Sequence, residues 1–352
     1  MTTLTKSYMD ELRHGRLGEY ITYHFLMDEI GDIDPSYPML RYVCDRFELN
    51  MEQRYWLAFL FAATYCSPTV YYMYNEFPDF ENVDVNRLQR WWDGNKNKCL
   101  FQSDRLWIRS RNQFVPMFES YKAHIQPTGK QEYAFMNLFS VDGDGATYDA
   151  AYKYFHTIKY FGRFSMFLYL EAVHVVTGFP MSPTNIDWKN AKSSRNGLCF
   201  AMGYDDLIRG HGYQDTPLDA KDYQDLSIDY TYLLELMQEL SPTSRVDAWN
   251  VETSLCAYKK WRLGIEDPKR VSSPHHRYPG YYLDRQYDEI MKMQQNVVHG
   301  VDWNVLWQFR QETFNLVNLR EHSNITNLTW SAVEIHKRLQ LLNNSNYFQE
   351  AV

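Results

Sequence analysis

A chain of 352 residues with 45% hydrophobic and 23% charged residues has the composition of a folded globular protein, long enough to bury a large core. Its formal net charge of −8 excludes a uniformly basic nucleic-acid binder, because Lys and Arg neutralising phosphates supply most non-specific affinity, yet a local basic groove is compatible with it. The opening MTTLTKSYMDELRHGRLGEY alternates charge without an apolar run, and no stretch reaches the roughly 18 uncharged apolar residues of a membrane span, so a cytoplasmic protein with no membrane partner is expected.

In chain order, Asn50 and Gln53 form a capping-box pattern ahead of the apolar run Tyr55 to Cys66. Ser67-Pro68 then predicts a helix restart, a cap followed by proline at the first helical position, and Pro78 ends it. Asp84 caps a helix over Val85 to Asp93 with Gly94 as its terminator. Tyr230, Leu233, Leu234 and Met237 share one helix face, as do Leu283, Gln286, Tyr287 and Ile290, while Trp330, Val333 and Lys337 outline a last helix. Gly94 to Asp104, Val141 to Ala146, Gly178 to Ile186, Arg209 to Thr216 and Gly264 to Gly280 collect the breakers and read as loops. With no sustained alternation of period 2, no repeat and no long linker, the expectation is an all-α fold: residues 1–352 as one compact helical body, in which a division into two lobes would leave a ligand cleft.

Several chemistries are absent from the pattern. The five cysteines are scattered and never form CxxC, which argues for reduced, mostly buried thiols and against a disulfide framework or zinc site; the sequons at Asn324 and Asn327 are then incidental. Asp142-Gly-Asp-Gly resembles the start of a calcium loop but has Thr147 where the sixth-position glycine belongs. There is no GxxxxGK[ST], HExxH or GxSxG, so neither metal nor cofactor is expected and the chain should not be its own kinase.

The informative stretch is Thr147 to Gly203. Ala151, Tyr154, Phe155 and Ile158 mark one helix face; Tyr160-Phe161-Gly162 interrupts it with a tight glycine turn, and an apolar helix runs from Arg163 to Thr177, closed by Gly178 and Pro180. The open N-terminus of that helix, beside Lys159 and Arg163, suits one phosphate, although a plain packing hairpin has the same pattern. A proline-rich loop then delivers Asp187 to a polar, basic segment, DWKNAKSSRNG. Hairpin, loop and Asp together resemble the helix-hairpin-helix DNA glycosylases, in which a hairpin grips the DNA backbone and a loop presents a catalytic Asp. The hairpin lysine of the bifunctional glycosylases has no counterpart here, which weighs against cleavage of the glycosidic bond.

A longer resemblance covers about Leu40 to Val298. The phrases YWLAFLFAATYC (55–66), VYYMYNEFPD (70–79), GRFSMFLYLEA (162–172), DWKNAKSSRNGLCFAMGYDDL (187–207), WNVETSLCAYKKW (249–261) and RYPGYYLDRQ (277–286) are similar to the phage amino-acid:DNA transferases and α-glutamyl/putrescinyl-thymine pyrophosphorylases, thymine-hypermodifying enzymes with a glycosylase-like helical fold. The resemblance implies a transferase acting on double-stranded phage DNA in the infected cell. Its base would be 5-hydroxymethyl-deoxyuridine, activated as a phosphate or pyrophosphate ester by an upstream 5-hydroxymethyluracil DNA kinase, and the amine of a free amino acid such as glycine would displace that group.

Such chemistry needs an exposed base, a receiver for the departing anion and a base for the ammonium. Asp187 is the candidate for orienting or deprotonating the amine, its plainer reading being a helix N-cap. Lys189, Lys192 and Arg195 are candidates for the leaving anion, and otherwise a solvated helix face. Trp188, Tyr160 and Tyr281 can stack on a flipped base or be core. Asn196, Asn250, Glu252, Arg277 and Arg285 are further polar groups fit to line a cleft, with Lys159, Gly162 and Arg163 on the DNA backbone. Glu171 in its apolar helix reads as half of an ion pair and Cys199 as an inert thiol. The alternatives are a helix-hairpin-helix hydrolase and a non-catalytic helical DNA-binding protein.

Overall fold

The computed structural model describes residues 15–313, apart from 103–107, 109–111, 185, 211–212, 214–215, 241–245, 268 and 270–276. Among the described residues there are fourteen α-helices and no strand, as an all-α fold requires. Close contacts divide the chain into two units, one gathering the described residues of Met1–Asp34 and Asn185–Asp284, the other those of Pro35–Thr184 and Arg285–Ser323.

In the second unit the helices are α2 (Ser36–Arg46), α3 (Met51–Thr64), α4 (Ser67–Glu76), α5 (Val85–Asn95), α6 (Phe114–Ile125), α7 (Gln131–Met136), α8 (Asp144–Phe155), α9 (Arg163–Thr177) and α14 (Asn304–Thr313). The capping box forms as its residues dictate: the Asn50 side chain accepts from Gln53 N–H at 3.0 Å and Gln53 Oε1 accepts from Asn50 N–H at 3.1 Å. Every α3 position from Tyr55 to Thr64 is buried, and α3 packs chiefly on α9, likewise apolar nearly all round. Phe59 stacks on Tyr121 with centroids 4.1 Å apart and on Phe161 at 5.7 Å. The phenols of Tyr121 and Tyr169 are satisfied within the core, Tyr121 donating to Gln131 Oε1 at 2.6 Å and lying 2.8 Å from the Tyr169 hydroxyl.

The first unit holds α1 (Arg16–Glu29), α10 (Lys192–Met202), α11 (Ala220–Leu240) and α12 (Ala248–Glu266). Here α10 lies against α12 so closely that a Cβ at Gly197 would stand 2.1 Å from the Leu255 carbonyl oxygen, which makes a glycine obligatory at the contact. α1 packs on both, and Tyr230, Leu233 and Met237 turn one face of α11 inward as their spacing predicts. α13 (Tyr281–Asn296) begins in this unit and continues in the other, with Leu283, Gln286 and Ile290 buried.

Four local expectations are corrected. Ser67 does not cap α4: the N-cap is Cys66, and the Ser67 hydroxyl donates instead to the Ser36 carbonyl at 3.1 Å. Gly94 does not end α5, which runs on to Asn95 because the Lys96 N–H still reaches the Trp92 carbonyl. α12 continues past Gly264 to Glu266. Finally, α8 and α9 are joined by residues 156–162 without a tight glycine turn; Tyr160 takes the left-handed conformation (φ 65), while Gly162 is extended (φ −76, ψ 179). The loop's route follows from its anchoring, Lys159 N–H donating to Ser120 Oγ at 3.0 Å and the His124 ring lying 2.8 Å from Thr157 Oγ1. The expected helix around Trp330, Val333 and Lys337 and the sequons at Asn324 and Asn327 lie outside the described residues.

Candidate active site

The candidate residues fall in both units, Asp187 to Arg195 in the first and Lys159 to Arg163 in the second. In the first unit, α10 does not begin at Asp187. Asp187 adopts the left-handed conformation (φ 54), its carbonyl accepts from Asn190 N–H at 2.9 Å and Ala191 N–H at 2.8 Å, and the helix starts only at Lys192 with Ala191 as its N-cap. The Asp187 carboxylate is therefore no helix cap. It is oriented by the Asn190 side-chain amide, which donates to its two oxygens at 2.9 and 3.1 Å, and it is half-buried on a turn whose next cation, Lys189, is exposed.

The three cations that follow have different environments. Lys189 and Lys192 are exposed. Arg195 is only 4% exposed, because the helix periodicity that leaves Lys192 outside turns Arg195 inward, onto the Trp188 turn. Its Nη1 donates to the Trp188 carbonyl at 3.2 Å, while Nε is buried without a hydrogen-bond partner among the described residues. A buried guanidinium held by one neutral carbonyl is costly unless an anion joins it. Arg195 and Arg209 both pull the Cys199 thiol pKa down, but burial dominates and pushes it up to about 12, so Cys199 stays a neutral thiol.

The other polar candidates in this unit have structural partners. Asn196 is buried and its amide donates to the Arg209 carbonyl at 2.8 Å, holding the chain that leaves the short 3₁₀ turn Asp205–Leu207. Glu252 accepts from the Ser194 hydroxyl at 2.8 Å, tying α12 to α10. Asn250 donates through its amide to Asp247, the N-cap of α12. Trp188 is buried edge-on against Tyr230 with centroids 5.1 Å apart. Arg277 lies 3.8 Å over the ring of Tyr281, so these two candidates occupy one another.

In the second unit Lys159, Tyr160 and Gly162 are exposed, and Arg163 lies over the Phe167 ring at 5.6 Å on its own helix. Gly162 is the N-cap of α9 and supplies no side-chain cap to that helix. Arg285 sits over the Tyr65 ring at 5.1 Å with Nε 3.3 Å from Glu289. Glu171 is buried as its apolar helix dictates.

Sequence reasoning missed two buried polar groups in the first unit. Ser254 Oγ lies 2.8 Å from both His24 Nδ1 and the Tyr20 hydroxyl, all fully buried between α1 and α12. Asp32 is fully buried and accepts the backbone N–H groups of Gly280 at 2.7 Å and Leu283 at 2.8 Å, capping α13 from far away in sequence. Burial pushes the Asp32 carboxyl up to about 8 against the pull of those donors. His24 and Ser254 stand where the periodicity of their helices predicts core, so the only signal was a polar residue on an apolar face. Among the described residues no group of three His, Cys, Asp or Glu is placed to hold a metal ion.

Comparison with known proteins adds a family and a relative. Residues 28–265 match the family described as amino acid:DNA transferase. Over 273 residues the chain is 24% identical to a protein of Salmonella phage ViI named serinyltransferase, an alignment covering 74% of this chain and 63% of that protein. The chain thus spans less than two thirds of that relative's length. No solved structure matches.

Proposed function

Because this chain belongs to the amino acid:DNA transferase family, we propose that it joins the amino group of a free amino acid to an activated base in DNA. The observation that carries the reading is the extent of the family match, residues 28–265, which takes in the Asp187 turn, the buried Arg195 and the hairpin. The base is 5-hydroxymethyl-deoxyuridine carrying a phosphate or pyrophosphate on its exocyclic methylene, placed there by an upstream DNA kinase in the cytoplasm of the infected cell. The amino acid is small, such as glycine, and the name of the phage relative puts serine beside it.

In the reaction the amine nitrogen bonds to the methylene carbon as the carbon–oxygen bond to the phosphate breaks. The ammonium gives up a proton and the ester oxygen departs as an anion. Asp187, oriented by Asn190, receives the proton. Lys189 and Lys192, exposed on the same segment as the buried Arg195, receive the departing anion, where fixed cations act best on developing negative charge. On the DNA, Lys159, Arg163 and the N-terminus of α9, which has no side-chain cap, take a backbone phosphate. Of the aromatic candidates, Tyr160, 40% exposed, is the one assigned to the base, Trp188 being buried and Tyr281 covered by Arg277.

The test is to incubate the protein with kinase-treated 5-hydroxymethyluracil DNA and each amino acid in turn, digest the DNA to nucleosides and weigh them. A nucleoside heavier by one amino acid residue in place of the ester, in an intact strand, is the expected result. Abasic sites would assign the chain to the hydrolases instead, and no new nucleoside with any amino acid or polyamine would remove the transferase reading.

A further inference from the structure

The three cations of the DWKNAKSSR segment are not equivalent, and the difference bears on what the site selects. Lys189 and Lys192 reach solvent as flexible point charges. Arg195 is buried, its single hydrogen bond among the described residues leaves through Nη1 to a neutral carbonyl, and its Nε is orphaned. The edge so left open, Nε with Nη2, is the side of a guanidinium that holds a two-oxygen anion with parallel hydrogen bonds. Both a carboxylate and a phosphate offer that pair of oxygens. Charge separates them: one buried guanidinium balances a carboxylate of charge −1, whereas a phosphate or diphosphate would bring surplus negative charge into a buried place, and the exposed lysines suit it better.

We propose that Arg195 grips the α-carboxylate of the incoming amino acid and thereby restricts the amine substrate to amino acids. This rests on the transferase reading above. An amine without a carboxylate would leave the buried guanidinium unpaired in the complex, and sites that must hydrogen-bond a substrate group reject analogues lacking it by large factors. The exposed lysines are left to the departing phosphate.

The experiment has a binding arm and a transfer arm, both on the full chain. In the binding arm, thermal shifts are measured with glycine, serine, glycinamide, ethanolamine and inorganic pyrophosphate. Glycine and serine are expected to raise the melting temperature and the two carboxylate-free amines to bind at least about tenfold more weakly. Arg195→Gln should abolish the amino-acid shift and Arg195→Lys retain part of it, with helical circular dichroism unchanged; should either variant misfold, the comparison of ligands on the unaltered protein decides alone. In the transfer arm, glycine or serine should be preferred over its carboxylate-free partner by about a hundredfold or more. Equal use of glycinamide and glycine, or a shift with pyrophosphate alone that Arg195→Gln removes, overturns the assignment of Arg195 while leaving the transferase intact. An Arg195-dependent shift with amino acids but no new nucleoside overturns the transferase reading and keeps the carboxylate site. Absence of both the shift and the product overturns both.

Discussion

Asp187 combines two properties that a substitution can separate. Its φ of 54 belongs to the region where Asn and Gly are tolerated and Ala is strained, and its carboxylate is the proposed acceptor of the amine proton. Asp187→Asn should therefore melt with the unaltered protein yet lose transfer by about 10²–10⁴-fold, whereas Asp187→Ala should lose both activity and roughly 1 kcal/mol or more of stability. Equal activity in the Asn variant, assayed by nucleoside mass, would relieve Asp187 of its role. Asp32 gives a second residue-scale expectation. Its folded pKa of about 8 lies above the ordinary carboxyl value of 3.8, so the fold holds a proton that the unfolded chain releases between them. Its contribution is complete below about pH 4 and is lost as the pH rises through 8, at no more than ~1.4 kcal/mol per pH unit for one proton. Melting curves from pH 4 to 9 should show Asp32→Asn gaining on the unaltered protein as the pH rises.

At the scale of elements, α10 owes its place to a single missing atom. A methyl at Gly197 would meet the Leu255 carbonyl at 2.1 Å, backbone that has no rotamer by which to yield, so α10 and α12 must separate. Gly197→Ala should cost about 1–3 kcal/mol or more in denaturant midpoint and, by shifting α10, reduce amino-acid binding at Arg195. Asn50→Ala, which removes the capping box of α3, should cost about 1 kcal/mol and leave that binding unchanged, since it lies in the other unit. The segment 187–209 illustrates why a polar sequence need not be a surface: Arg195, Asn196 and Ser194 are buried because Lys192–Met202 is a helix that turns them inward, and each has a hydrogen bond to make there.

For the whole molecule, a net charge of −8 and the proposed DNA substrate are reconciled only if binding is local. Affinity for DNA should fall linearly in log–log form with salt, and Lys159→Gln should lower that slope by about one contact while weakening all sequences alike. A salt slope untouched by Lys159→Gln and by Arg163→Gln would remove the hairpin from the DNA interface. The basic stretch from Leu255 to Arg285 shows how charge in sequence disperses in three dimensions: Arg262 pairs with Glu19 and Glu266, Arg277 covers Tyr281, and Arg285 pairs with Glu289.

What the residues decided alone is what depends on neighbours in the chain. The all-α class, the capping box at Asn50 and the cap at Asp84, the bounds of α9 with its left-handed Gly178 and the inward face of α11 all follow from spacing and local hydrogen bonds. Family phrasing pointed in the same way to the amino acid:DNA transferases. Tertiary structure decided which polar groups are buried and with whom. That Arg195 meets no carboxylate among the described residues, that Asp32 caps a helix 248 residues further on, that Ser254 meets His24 and Tyr20, and that Ser67 serves Ser36 are outcomes of contacts between residues far apart in sequence. Burial is a property of the assembled fold, and the cost of burying a polar group is what makes its partner, or the want of one, informative.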